Sequence, residues 1–179
     1  YDALRFVQAW SLRNDDPERL AEALERLSRI EKDRTERLAL AFEHGRVLLH
    51  RLQRAERAIA VLEDALTIDA NFIPVLDELV LACERAERWD KLAVVLERKL
   101  ALEDDGDERA QLLDRLFSLY EGPLQDDKRA AHALRRRIEQ DPSAIEPFRR
   151  LRALHTRTGH HRELVAVLDL LAQREEEDD

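Results

Sequence analysis

The chain has 179 residues, of which 44 % are apolar and 39 % charged, and its formal net charge is −9. That length suits one domain. The single cysteine, Cys83, excludes an internal disulfide framework, and no apolar run approaches the roughly 18 residues that span a membrane.

Four glycines and five prolines leave few places to turn, and a chain rich in Ala, Leu, Glu and Arg favours helix. Apolar periodicity and turn signals predict helices over 1–13, 17–31, 35–50, 54–69, 72–86, 89–103, 107–121, 126–140, 143–158 and 161–176. Asp16-Pro17 reads as an N-cap followed by proline at the first helical position. Asn71, and Asp126 or Asp127, are further candidate caps. Asp104-Asp105-Gly106-Asp107 reads as a turn, and Gly122-Pro123 and Asp141-Pro142-Ser143 end helices. Gly159 stands where a helix C-terminus requires positive φ. Methionine is absent even from position 1, where Tyr1 already sits in a helical pattern; we expect a segment of a longer protein.

The chain repeats itself. A shift of 72 residues aligns 35–104 with 107–176 without a gap, pairing Leu40 with Leu112, Ala58 with Ala130, Leu62 with Leu134 and Leu92 with Leu164. Each block divides again: Leu24, Leu62, Leu96, Leu134 and Leu168 are spaced 38, 34, 38 and 34. The 38-residue units carry about one additional helical turn, in the first helix or in the turn after it. In the helix from Trp89, Leu92, Val95, Leu96 and Leu100 form one stripe, while Val94 and Leu102 lie off it and are expected to touch an adjacent unit.

With its 34-residue helix-hairpin unit, the chain resembles the tetratricopeptide (TPR) family and its looser relatives. Asp141-Pro142 matches the family's unit ending. Gly159 matches its hairpin-turn glycine, where Gln53 and Glu87 stand in their own units, and Ala58 and Ala130 match the second-helix alanine. Leucines replace the common aromatic of the second helix. The resemblance implies an all-α superhelix: one right-handed solenoid segment over 1–179 of about ten helices, in antiparallel hairpins near 1–33, 34–71, 72–105, 106–142 and 143–176. The alternative is a compact helical bundle. Repetition follows from burial, because one hairpin cannot cover its own apolar face.

Nothing in the chain carries catalysis. There is no glycine-rich phosphate loop, no GxSxG elbow and no cysteine pair, so no enzyme activity, cofactor or metal is expected. Cys83 falls on the Leu76–Leu79 stripe as a small core residue. His155, His160 and His161 have spacings poorly suited to a metal site on one helix face.

Charge is more informative. Residues 128–162 hold ten basic and three acidic side chains against an acidic remainder. In TPR-like solenoids the first helices line the concave face, which directs Arg5, Asp77, Glu84, Arg149, Ala153 and Thr156 towards a groove. Arg152 falls near Arg149, and Arg85 and Arg157 recur one position further on. The plain alternative is that these arginines pair with acids on neighbouring helices, at about 0–1 kcal/mol each. The functional alternative is an acidic protein segment gripped by arginine forks. The lysine/asparagine clamp with which some TPR domains hold an acidic chaperone C-terminus is not matched, since Asp77 and Leu81, or Arg149 and Ala153, occupy its positions.

The expected role is thus a non-enzymatic scaffold that binds a protein or peptide. The first alternative is RNA binding through the 128–162 patch, opposed by the net charge and the few aromatics. The second is self-association. No membrane insertion is expected, and the cytoplasm is slightly favoured, with any targeting signal outside this stretch.

Overall fold

A computed structural model describes residues 1–177, with side chains to Asp169. Asp178, Asp179 and the side chains from residue 170 onwards lie outside the described residues. Ten α-helices and no strand occur among the described residues. They are α1 (Asp2–Arg13), α2 (Pro17–Ile30), α3 (Arg34–Arg46), α4 (Ala55–Ile68), α5 (Ile73–Arg85), α6 (Trp89–Leu102), α7 (Gly106–Glu121), α8 (Asp127–Gln140), α9 (Ile145–Thr158) and α10 (His161–Glu177). A π-helical turn, Val47–Arg51, continues α3.

The fold resolves into two compact units, Tyr1–Val95 and a second that begins at Leu96. In the first unit α1 packs on α2, α2 on α3, α3 on α4 and α4 on α5; in the second α7 packs on α8, α8 on α9 and α9 on α10. Each unit is therefore a run of antiparallel helix hairpins, as the repeat requires.

Local chemistry sets the boundaries. Asp16 caps α2 through the Arg19 N–H (3.1 Å), and Asp126 caps α8 through the Arg129 N–H (2.9 Å). Asp105 accepts from the Asp107 and Glu108 N–H groups at the start of α7. Asn71 does not cap α5. Phe72 holds that position, and Asn71 instead donates its N–H to the Asp69 carboxylate at 3.0 Å.

Each hairpin turns on one residue in the left-handed region: Asp15, Gln53, Glu87, Gln125 and Gly159, at φ 53°, 54°, 53°, 49° and 70°. Only the last is glycine. The backbone of the following residue then reaches back to the first helix. Asp16, Arg88 and His160 donate to the carbonyls of Ser11, Cys83 and His155, five residues back. Arg54 and Asp126 reach six residues back, to Leu48 and Tyr120. The additional residues of the longer units thus lie in the first helix: α3 with its π turn runs to Arg51, and α7 has 16 residues where α1, α5 and α9 have 12, 13 and 14.

The shared leucines Leu24, Leu62, Leu96 and Leu134 are fully buried. Leu168 is 42 % exposed, because no later helix covers α10 among the described residues. Val94, off the apolar seam, is 69 % exposed. Gly45 is buried where α3 meets α4: a Cβ there would lie 2.5 Å from Leu62 Cδ2. In the second unit the equivalent residue is a buried Phe117.

Candidate interaction surface

The structure sorts the basic stretch 128–162 into two sets. Arg129 pairs with Asp126 (2.7 Å), Arg136 with Glu97 (2.8 Å), and Arg150 with both Asp114 and Glu146 (3.2 Å each). Arg157 bridges Glu121 (3.2 Å) and Asp127 (2.7 Å), and Arg137 lies 3.9 Å from Asp141. These follow the ion-pair alternative. Lys128, Arg135, Arg149, Arg152 and Arg162 are exposed and form no ion pair among the described residues.

On α9, Arg149, Arg152 and Thr156 recur at three- and four-residue spacing and share one exposed face. The Thr156 hydroxyl donates to the Arg152 carbonyl at 2.8 Å, so the threonine turns its hydrogen onto its own helix. Arg157, just beyond, is committed to its two carboxylates. The α9 face therefore presents two guanidiniums side by side that form no ion pair among the described residues.

The remaining expected site residues fall in the first unit. Arg5 is half-buried and bound to the Tyr1 hydroxyl, to Gln8 and to Glu36, and the Tyr1 and Glu36 hydrogen bonds raise its pKa. Arg85 donates to the Leu49 carbonyl at 2.8 Å and so satisfies the end of the π turn. Asp77 is exposed on α5 and Glu84 half-buried, and neither is without a partner.

A second feature was not anticipated. Between α8 and α10 lies a cavity of about 220 Å³. Its lining includes Lys128 and Arg135 from α8, His155 and Thr158 from α9, and His160 and Glu163 beyond the hairpin turn. His155 is only 4 % exposed, and neither ring nitrogen has a hydrogen-bond partner among the described residues. Burial foremost, then the positive charge of Arg135, holds its pKa below the usual histidine value. The His160 ring meets it edge-on at 5.8 Å, and His160 Nδ1 lies 2.6 Å from the Thr158 hydroxyl. The signal was present in the 72-residue alignment, where Lys128 and Arg135 stand against Glu56 and Glu63.

Among the described residues, no three His, Cys, Asp or Glu side chains are grouped to hold a metal ion, and no helix is long and apolar enough to cross a membrane. Cys83 is fully buried, and its thiol pKa is pushed up to about 11 by that burial, so it carries no nucleophile.

No protein-family model matches the chain, and no curated protein matches it. Solved structures do. The MamA RS-1 ArsTM double mutant superposes with a TM-score of 0.54 at 19 % identity, over 99 % of this chain and 96 % of that one. MamA 41-end from Desulfovibrio magneticus RS-1 gives 0.52 at 19 % identity, over 99 % and 97 %. A tetratricopeptide repeat protein from Parabacteroides merdae ATCC 43184 gives 0.55 at 17 % identity, over 97 % of this chain and 66 % of that one. At these identities the likeness is one of fold: the chain is an all-α, TPR-like helical repeat.

Proposed function

We propose that this TPR-like chain is a non-catalytic interaction scaffold that binds an acidic protein segment on the exposed face of α9. The fold supports the general role, because helical repeats present extended surfaces of side chains on rigid helices. The carrying observation is the contrast within α9: Arg150 and Arg157 are tied to carboxylates of the chain, whereas Arg149 and Arg152 are exposed and have none among the described residues. Two adjacent forks suit bidentate carboxylate recognition. A flexible acidic segment also suits a chain of net charge −9, since only its basic patch attracts such a ligand.

The test is titration of a fluorescent Glu/Asp-rich peptide into the wild type and into Arg149→Glu/Arg152→Glu. Charged hydrogen bonds are worth about 1.5–3 kcal/mol when formed, so reversing two charges weakens binding at least tenfold and flattens its salt dependence. Unchanged affinity would remove the α9 face from the proposal.

Self-association is a second reading, favoured by the exposed apolar side chains of Phe6 (70 %) on α1 and Val165 on α10. Sedimentation over a range of concentrations tests it, and a monomer throughout rejects it.

A further inference from the structure

The second helices of the hairpins share a register set by their buried leucines, Leu24, Leu62, Leu96 and Leu134. Six residues before that leucine stand Glu18, Glu56, Asp90 and then Lys128. One residue after it stand Glu25, Glu63, Glu97 and then Arg135. The first three helices are acidic at both positions, and α8 is basic at both.

In the first unit three of these carboxylates close the junction to the next hairpin, while Glu25 pairs with Arg29 of its own helix. Glu18 binds Arg54 at 2.5 Å, Glu56 binds Arg88 at 3.2 Å, and Glu63 binds Lys91 at 2.6 Å. Arg54 and Arg88 each follow the left-handed turn residue, and His160 follows Gly159 in the same way. At the α8–α10 junction Lys128 therefore stands opposite His160, where Glu56 stands opposite Arg88. Among the described residues neither Lys128 nor Arg135 forms an ion pair. The junction remains open as the 220 Å³ cavity, against the buried His155 ring, whose nitrogens have no hydrogen-bond partner among the described residues.

We propose that this junction binds a carboxylate, which takes the place that Glu18 and Glu56 hold at the junctions of the first unit, between Lys128 and His160 and against the His155 ring. The space holds several heavy atoms, since a water molecule takes about 30 Å³ of liquid. Arg135 adds a second cation. The two carboxylates of the lining do not fill this role: Asp127 is bound to Arg157 at 2.7 Å, and Glu163 lies exposed on α10 and forms no ion pair with Lys128 or Arg135 among the described residues. The neutral His155 ring offers one N–H donor without requiring a further charge to be buried. Its resting neutrality follows from burial and from Arg135. The site uses a face of α9 other than that of Arg149 and Arg152 and does not rest on the function proposed above.

Histidine Cε1–H resonances report on the site directly. Acetate, glutarate, inorganic phosphate and chloride are titrated at constant ionic strength into the full chain, followed by an acidic peptide with either a free or an amidated C-terminus. The wild type should show saturable shifts of His155 and His160 with carboxylates, and the His155 titration midpoint should move up. Lys128→Glu/His160→Arg, which installs the chain's own Glu56–Arg88 pair, should bind at least tenfold more weakly without loss of thermal stability. Lys128→Gln should weaken binding in the same direction if the double variant folds poorly. Arg149→Glu/Arg152→Glu should leave the shifts unchanged. A requirement for the free C-terminus identifies a main-chain carboxylate as the source, and indifference to it a side-chain carboxylate. Shifts that chloride reproduces, tighter binding of phosphate than of carboxylate, or equal binding by the Lys128 variants would overturn the assignment.

Discussion

Gly159→Ala and Gln125→Gly form a reciprocal test of the hairpin turns. Gly159 sits at φ 70°, and a Cβ built there meets nothing within 4 Å, so the alanine is penalised through the backbone alone. An L-residue in the left-handed region costs roughly 1–2 kcal/mol. Part of that is offset, because alanine loses about 0.4–1 kcal/mol less chain entropy on folding. The net destabilisation is about 0.5–1 kcal/mol. Gln125, at φ 49°, is exposed and its side chain makes no hydrogen bond among the described residues, so glycine there reverses the sign at similar size. For a chain of this length about 1 kcal/mol moves Tm by about 2–4 °C. Thermal melts at 222 nm and urea midpoints in one buffer measure both variants. A neutral Gly159→Ala, or two shifts of the same sign, would show that these turns are not strained as described.

Gly45→Ala places a Cβ 2.5 Å from Leu62 Cδ2 in a fully buried seam, and overpacking of that kind costs about 1–3 kcal/mol. Leu62→Val in the same chain should recover part of the loss in a double-mutant cycle, whereas strict additivity would deny the contact. His44 is buried, and burial pushes its pKa below 6.5, so its contribution to stability is present above the unfolded value and lost as pH falls through the folded one. His44→Leu, which copies the equivalent Leu116, should therefore flatten the fall of the urea midpoint between about pH 7 and 5. The Cys83 thiol, raised from 9.0 to about 11, favours folding below the unfolded value and loses that contribution as pH rises through the folded one. Cys83→Ser, which copies the equivalent Ser11, should weaken the alkaline fall in stability. The native thiolate fraction near neutrality is also roughly 100-fold lower than for an unperturbed thiol, so labelling by a thiol reagent should be correspondingly slow until the chain is unfolded.

The helices were legible because apolar spacing, capping aspartates and repeated leucines agreed with one another. Every expected helix is found with its ends shifted by at most about four residues, and the π turn accounts for the largest refinement. Asn71 misled because Asn and Asp are interchangeable as cap signals, and Asp69 two residues earlier competes for the same turn. The candidate surface was legible only as a charge imbalance. Which arginines are committed depends on acids up to 39 residues away, as with Arg136 and Glu97. The cavity beside His155 needed the repeat to be read for its differences as well as its matches. Glu56 against Lys128 is a mismatch, and mismatches carry little weight while a period is being sought.

The left-handed residues mark off the chain in steps of 38, 34, 38 and 34. Hairpins of two kinds alternate, one with its return bond five residues back and one with it six back. The buried Ser11, Cys83 and His155 all belong to the first kind. The portable unit of this architecture is therefore the pair. Lengthening, shortening or exchanging such an array should succeed in 72-residue steps, whereas a single hairpin inserted or removed would bring two of one kind face to face, with no neighbour shaped to receive either.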